Sequence, residues 1–429
     1  MIKIYFCSPK KVECGLQNRW FLFRLLLISF GLIAYSSATS VAQTDSVQVA
    51  GHEQTNVSSR DSLADVWDVY YRYINRKGHR RTEHYKPGLH TTIFPELAYA
   101  LQTGVAIGLN ANLSFTSANP EQNVSTIIST PQYTQYQQVI IPVVVNFWTK
   151  ENRYNIVTDW RYYDYSADNF GLGDESPGNA DDRLTYYYLR FHQSVLRQVA
   201  PNLSVGLGYA LDYHWHIQDV NNTPQLNNDF GQYTSTDHTT SSGPTFSVQY
   251  TNRRNPNNPQ SGFFGNVVVR PNLRWLGSDQ NWQSVIADFR KYIPLSSTGQ
   301  HILAFWNMNW LSFGGQAPYL DLPSSGWDTY SNLGRGYVQG RFRGRNLVYL
   351  EAEYRTQLLS NGLLGAVVFT NMQTYSNYPD TSHFGRLLPG GGVGLRVKMN
   401  KHSNLNLAID YGFGVGGAQG FFFNFGEVF

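Results

Sequence analysis

From about residue 89 onward, apolar and polar residues alternate with period 2 in one run after another. In Tyr154-Asn155-Ile156-Val157-Thr158-Asp159-Trp160-Arg161-Tyr162, the large residues Tyr154, Ile156, Trp160 and Tyr162 share one face and oppose Asn155, Asp159 and Arg161. Leu405, Leu407, Ile409 and Tyr411 likewise oppose Asn404, Asn406 and Asp410. Helical periodicity of comparable length is absent. The pattern predicts sixteen strands, at residues 91–99, 104–115, 123–133, 138–149, 153–165, 183–197, 203–217, 244–253, 262–276, 282–293, 300–314, 347–358, 363–373, 389–400, 404–414 and 419–429.

Sixteen tandem strands of this length suit an all-β, antiparallel transmembrane barrel, whose strands need about nine to eleven residues to cross the hydrocarbon layer. A cation facing lipid at the midplane costs roughly 2–4 kcal/mol, so the polar faces should line the interior. The connections alternate in length. Short joints such as 150–152, 199–202, 294–299 and 400–403 read as periplasmic turns, and long ones at 166–182, 218–243, 315–345 and 375–387 as extracellular loops. A secreted β-sandwich is the soluble alternative, but it would leave too much apolar surface exposed.

Composition sharpens this picture. Aromatics make up 15% of the 429 residues and charged residues only 15%, against roughly 25% charged in soluble domains; aromatic girdles at the two membrane interfaces account for such a surplus. At the start, Lys3, Lys10, Lys11, Arg19 and Arg24 precede an apolar core from Leu25 to Tyr35, and Ser40-Val41-Ala42 offers a cleavage site. Residues 1–42 thus read as a signal peptide; the core is well short of the ~20 residues that a spanning anchor needs. Both cysteines, Cys7 and Cys14, leave with it, so the exported chain has no disulfide and no thiolate site. Removing five cations and one anion (Glu13) takes the formal charge from +3 to 3 − 4 = −1, which gives no reason to expect nucleic acid. Residues 43–88 form a polar periplasmic leader with a short amphipathic stretch at 66–74 and a basic cluster, Arg76-Lys77-Gly78-His79-Arg80-Arg81. It reads as a solvated linker; contact of the basic cluster with anionic headgroups is the alternative.

The chain's most distinctive stretch is Gly334-Arg335-Gly336-Tyr337-Val338-Gln339-Gly340-Arg341-Phe342-Arg343-Gly344-Arg345-Asn346, running into Leu347-Val348-Tyr349-Leu350-Glu351-Ala352-Glu353-Tyr354-Arg355. Period 2 sets Glu351, Glu353 and Arg355 on one face of that strand. Arg335-Gly336-Tyr337, Gly340-Arg341-Phe342-Arg343 and Glu353-Tyr354-Arg355 resemble the Arg-Gly-Phe/Tyr loop and following strand of the BamA/TamA superfamily of outer-membrane assembly factors, also called the bacterial surface antigen family. The resemblance covers about residues 90–429, including Gly392-Val393-Gly394-Leu395-Arg396. It implies that the loop folds inward and that Arg335 pairs with acidic groups of nearby strands, the candidates being Glu351, Glu353 and Asp410. Two positions depart from the family: Gly334 stands where an aliphatic is common, and Asn371 where an Asp is usual, so the pairing rests on fewer carboxylates. The family's POTRA domains would be expected ahead of the barrel, and roughly 45 residues are too few for one. The last residues carry Asn424-x-Gly426-x-x-Phe429, similar to the C-terminal signal by which outer-membrane barrels are recognised for assembly.

The resemblance implies a barrel that assists insertion or translocation of proteins, with client outer-membrane or secreted proteins, lipids and lipopolysaccharide, and the outer-membrane assembly machinery as partners. A passive channel constricted by the Arg335 loop is the second reading, and an outer-membrane enzyme the third. In a further reading of the loop, Arg341, Arg343 and Arg345 sit at the outer surface on lipopolysaccharide phosphates. Catalytic chemistry finds no support: there is no G-x-S-x-G elbow and no nucleophile-base arrangement. His214 and His216 share a face by period 2 but want a third metal ligand, and Gly390-Gly391-Gly392 and Gly412-x-Gly414-x-Gly416-Gly417 are followed by no helix that would make them phosphate loops. No cofactor is expected.

Overall fold

The computed structural model describes residues 63–74 and, with short interruptions, 88–429. The expected signal peptide, both cysteines and most of the leader lie outside the described residues. Among the described residues one helix, α1 (Val66–Ile74), precedes the strands. These are β1 (Gly88–Ala100), β2 (Gly104–Thr116), β3 (Ser125–Ser129), β4 (Gln132–Thr134), β5 (Val139–Trp148) and β6 (Tyr154–Asn169). Then come β7 (Asp182–Ala200), β8 (Leu203–Asp219), β9 (His238–Thr251), β10 (Gly262–Asn272), β11 (Trp282–Pro294) and β12 (His301–Phe313). The last six are β13 (Asn346–Gln357), β14 (Leu364–Tyr378), β15 (Thr381–Phe384), β16 (Leu388–Asn400), β17 (Leu405–Gly414) and β18 (Gln419–Phe425).

Apart from β3, β4 and β15, each strand pairs antiparallel with the next along the chain, in one meandering sheet. The eighteen described segments occupy sixteen places, 18 − 2, because β3 and β4 share the place between β2 and β5, and β15 only extends a hairpin on β14. The run expected at 123–133 is split at Pro131, which has no N–H for the ladder; its carbonyl still accepts from the Leu109 amide at 3.0 Å. The sheet curls until β1 lies beside β18. Among the described residues no backbone ladder joins those two strands.

The two faces of the sheet are inverted relative to a water-soluble protein. Ile107 and Leu109 on β2, Leu189 on β7, Val393 and Leu395 on β16 and Phe421 and Phe423 on β18 point outward and are exposed. Arg161, Asp212, Asn307, Glu351, Glu353, Arg396 and Asp410 point inward and are buried. An apolar outer belt around a polar interior is the arrangement a bilayer demands.

The interior is less wet than alternation alone suggests. The β12–β13 loop folds into it and brings its own apolar residues. Leu333, Tyr337 and Phe342 pack with Trp306, Tyr349, Tyr375 and Leu388 on one wall. Tyr319, Leu322 and Trp327 pack with Tyr165, Tyr186, Tyr188 and Trp282 on the other.

Two further expectations change. The final strand stops at Phe425 rather than running to Phe429: Gly426, at φ +104°, turns the chain inward. His214 and His216 do not share a face, because a bulge opposite Tyr186, with His216 at φ +51°, shifts the register. His214 is buried and stacks on Tyr188 with ring centroids 4.3 Å apart, whereas His216 is exposed.

Candidate functional site

Gly334, at φ +82°, and Gly336, at φ +110°, let the loop double back so that Arg335 projects between β13 and β17. A Cβ on Gly336 would stand 2.7 Å from the Phe413 carbonyl oxygen, and one on Gly412 would stand 2.7 Å from the Gly336 nitrogen. Only glycine at both positions permits this approach of loop to wall.

The Arg335 side chain is 1% exposed. Its Nη1 donates to Asp410 Oδ2 at 2.5 Å, and its Nη2 reaches both Glu351 and Glu353. The guanidinium lies over the Phe369 ring, 3.7 Å from the centroid. Burial by itself would lower the Arg335 pKa; the three carboxylates hold it well above its ordinary value. Asn371, which cannot supply a charge, donates from Nδ2 to the Arg335 carbonyl at 2.8 Å. It fixes the backbone of the loop instead of its cation.

Three of the four carboxylates in this cluster bond to an arginine other than Arg335. Arg355 Nε donates to Glu353 at 2.6 Å, Arg396 Nη1 to Asp410 at 2.5 Å, and Arg396 Nε to Glu427 at 2.7 Å. Among the described residues Glu351 has only Tyr349 Oη besides Arg335. The cluster therefore sets three arginines against four carboxylates. Arg396 and Glu427, absent from the residues expected on sequence grounds, join the end of the chain to it.

The rest of the motif turns elsewhere. Tyr337 Oη donates to the Pro389 carbonyl at 2.5 Å and accepts from the Val415 amide at 3.1 Å. Arg341 holds the β6–β7 loop through Ser176, with Nη1 to Oγ at 2.7 Å and Nη2 to the carbonyl at 3.0 Å. Arg343 is buried, donates to the Tyr319 carbonyl at 2.9 Å and lies over that ring. Arg345 donates to the carbonyls of Ser312 and Gly315. The reading of Arg343 and Arg345 as lipopolysaccharide contacts is thus replaced by bonds to carbonyls of the loop and of the end of β12, which need donors once water is excluded.

The last residues also lie inside. Phe429 packs 5.4 Å from Trp306 and 6.3 Å from Tyr292, and its carbonyl accepts from Arg355 Nη2 at 2.9 Å. Asn332 of the loop donates to the Val428 carbonyl at 2.8 Å. Gly426 donates to the Asn406 carbonyl at 2.8 Å, and Asn424 reaches the Glu427 carbonyl at 3.5 Å.

A second ionic cluster on the opposite wall has no counterpart in the sequence reading. Asp159 pairs with Arg161 at 2.7 Å and Arg190 at 3.2 Å, and Asp212 with Arg190 at 3.0 Å, His192 at 2.9 Å and Arg270. Its members were legible as inward positions of β6–β10, but their meeting depends on the register of five strands. The loop touches it at Thr329, whose carbonyl accepts from Arg161 Nη2 at 3.2 Å, and comes near it at Asp321, which accepts from Ser241 Oγ at 2.5 Å and lies 3.9 Å from His214. Burial, and then the Asp212 carboxylate, push Asp321 up to about 7. Burial also raises Asp328, against the amides of Leu333 and Tyr330 that bond to it. Among the described residues no group of three or more His, Cys, Asp or Glu is placed to hold a metal ion.

An antiparallel barrel with an apolar belt, whose lumen receives one loop pinned through a buried arginine, defines an outer-membrane barrel. The sequence profile of the Omp85 superfamily domain matches residues 100–429. This chain belongs to the Omp85 superfamily. Its fold is similar to that of BamA from Haemophilus ducreyi lacking POTRA domains 1–3, with TM-score 0.52 and 16% identity over 79% of this chain and 70% of that one. It is also similar to CdiB from Escherichia coli, with TM-score 0.52 and 13% identity over 80% of this chain and 63% of that one. The chain therefore spans less than two thirds of the CdiB structure. No curated protein matches the sequence.

Proposed function

We propose that this protein assists the insertion or translocation of polypeptides at the outer membrane, with β1 and β18 as the edges between which a client strand is templated. The observation that carries this reading is the seam: consecutive strands are laddered around the sheet, while the first and last lie side by side without a ladder among the described residues. Unpaired edge N–H and C=O groups are a template for strand addition. Pro95 in β1 and Gly420 in β18 each weaken a strand at this junction. In this reading the Arg335 loop braces the lumen while the seam parts. Clients would be outer-membrane or secreted proteins, and outer-membrane lipids, lipopolysaccharide and the barrel assembly machinery would be its other partners.

The passive-channel reading is the less supported, since Arg335, Tyr337 and Phe342 of the loop are all buried within the lumen. Cysteine pairs introduced across β1 and β18 test the choice. Oxidised pairs should abolish client assembly in reconstituted vesicles, with recovery on reduction. Undiminished assembly through a locked seam, or a steady ohmic current that locking leaves unchanged, would sink the proposal.

A further inference from the structure

Helix α1 is fixed to the short-turn rim of the barrel by contacts that leave one of its faces uncovered. Its first turn is capped reciprocally: the Asp68 amide donates to Asp65 Oδ1 at 3.0 Å and the Asp65 amide to Asp68 Oδ2 at 3.1 Å. The same carboxylates hold the β16–β17 turn. Lys401 Nζ lies 2.8 Å from Asp68 Oδ2, and the Lys401 amide donates to Asp65 Oδ2 at 3.2 Å. Just ahead of the helix, the Ala64 amide donates to the Asn361 carbonyl of the β13–β14 turn at 2.9 Å. This is a docked element, not the solvated linker expected from composition.

The uncovered side is aromatic. Trp67 and Tyr70, one turn apart, are 53% and 51% exposed, with their rings edge-to-face at 6.1 Å. Leu358 and Leu359, in the turn against which the helix docks, are 55% and 41% exposed. Exposed apolar groups gathered at one place mark a contact surface. Here that place adjoins an interface already present: the outer apolar stripe of β16, with Val393 and Leu395, descends to the turn that Lys401 occupies. Loop lengths make this the periplasmic rim. Trp and Tyr, apolar in body and polar at one edge, are the side chains that suit the headgroup level of a bilayer. The sequence that follows, Arg76-Lys77-Gly78-His79-Arg80-Arg81, has the charge that anionic headgroups attract.

We infer that α1 lies in the headgroup region of the periplasmic leaflet, with Trp67 and Tyr70 as its anchors and a phospholipid surface containing anionic lipid as its partner. The inference rests on the barrel's place in the outer membrane and is independent of client insertion. The test uses the full chain with Cys7→Ser and Cys14→Ser, so that one introduced cysteine takes an environment-sensitive fluorophore. Trp67→Cys is compared with Tyr330→Cys, a half-exposed position on the lumenal loop. Both go into vesicles of phosphatidylethanolamine and phosphatidylglycerol whose acyl chains are brominated near the headgroup. The label at 67 should lose most of its emission and be quenched several-fold more than the label at 330. Quenching should fall when phosphatidylcholine replaces phosphatidylglycerol; equal quenching in the two would overturn the anionic part of the assignment. Quenching at 67 no greater than at 330 would overturn the whole, and crosslinking of 67 to another polypeptide would then assign the face to a protein. Should the Trp67→Cys chain lack the heat-modifiable gel shift of a folded barrel, Tyr70→Cys, on the same face, replaces it and is read in the same way.

Discussion

Replacing Arg335 with alanine withdraws one guanidinium from among three buried carboxylates, and the structure says which of them suffers. Glu353 retains Arg355 and Asp410 retains Arg396, whereas Glu351 is left with a tyrosine hydroxyl. The cost is therefore that of one broken buried pair and not of three, about 3–5 kcal/mol. It falls on the docking of the loop, because the strands that carry the carboxylates keep their ladders on both sides. At about 1.4 kcal/mol per decade, amide exchange and proteolytic cleavage across residues 334–344 should accelerate roughly a hundredfold to a few thousandfold. The gel shift of the folded barrel should persist. Adding Glu351→Gln should restore part of the loss, since it removes the uncompensated charge; a coupling of about 0.5–3 kcal/mol is expected for groups in contact. Loop exchange within tenfold of the parent in Arg335→Ala, or a double variant worse than the sum of the singles, would refute this account of the loop's anchorage.

Gly336→Val should free the loop without touching a charge, because its Cβ would enter the Phe413 carbonyl and its φ of +110° strains any branched residue; the same exchange measurement reads it, and a loop as protected as the parent's would contradict the close approach. Loop docking should also respond to pH through Asp321. In the docked loop this carboxyl keeps its proton up to about pH 7, while in a released loop it ionises near its ordinary 3.8. Raising the pH between those values therefore favours release, and docking is firmest at the acid end of the window. The cleavage rate of the loop should climb across that window and level off above it, and Asp321→Asn should flatten the profile. Phe429→Ala removes a fully buried ring from the Trp306 and Tyr292 contact at a cost of about 3–5 kcal/mol. It should lower the temperature at which the heat-modifiable form is lost, and an unchanged transition would place the ring elsewhere.

The sequence alone determined the elements and their faces. Period-2 alternation is a local property of each strand, so the outward set of Val393 and Leu395 and the inward set of Glu351, Glu353 and Asp410 could be read from spacing. The scarcity of charge then decided which face meets lipid. Resemblance in the Arg335-Gly336-Tyr337 loop pointed to its carboxylate partners, which stand 16, 18 and 75 residues away. What spacing could not supply is whatever depends on register between distant strands or on where a loop comes to rest. The Asp159, Arg190, Asp212 and Arg270 cluster exists because β6 to β10 pair in one alignment, and a slip of one residue would turn its members outward. Phe429 looks from its position like one more residue of the last strand, yet the turn at Gly426 and an aromatic pocket built from β11 and β12 draw it inside. The docked face of α1 was hidden for the same reason: Lys401 lies 333 residues from Asp68 in the chain, and only the curling of the sheet brings their charges together.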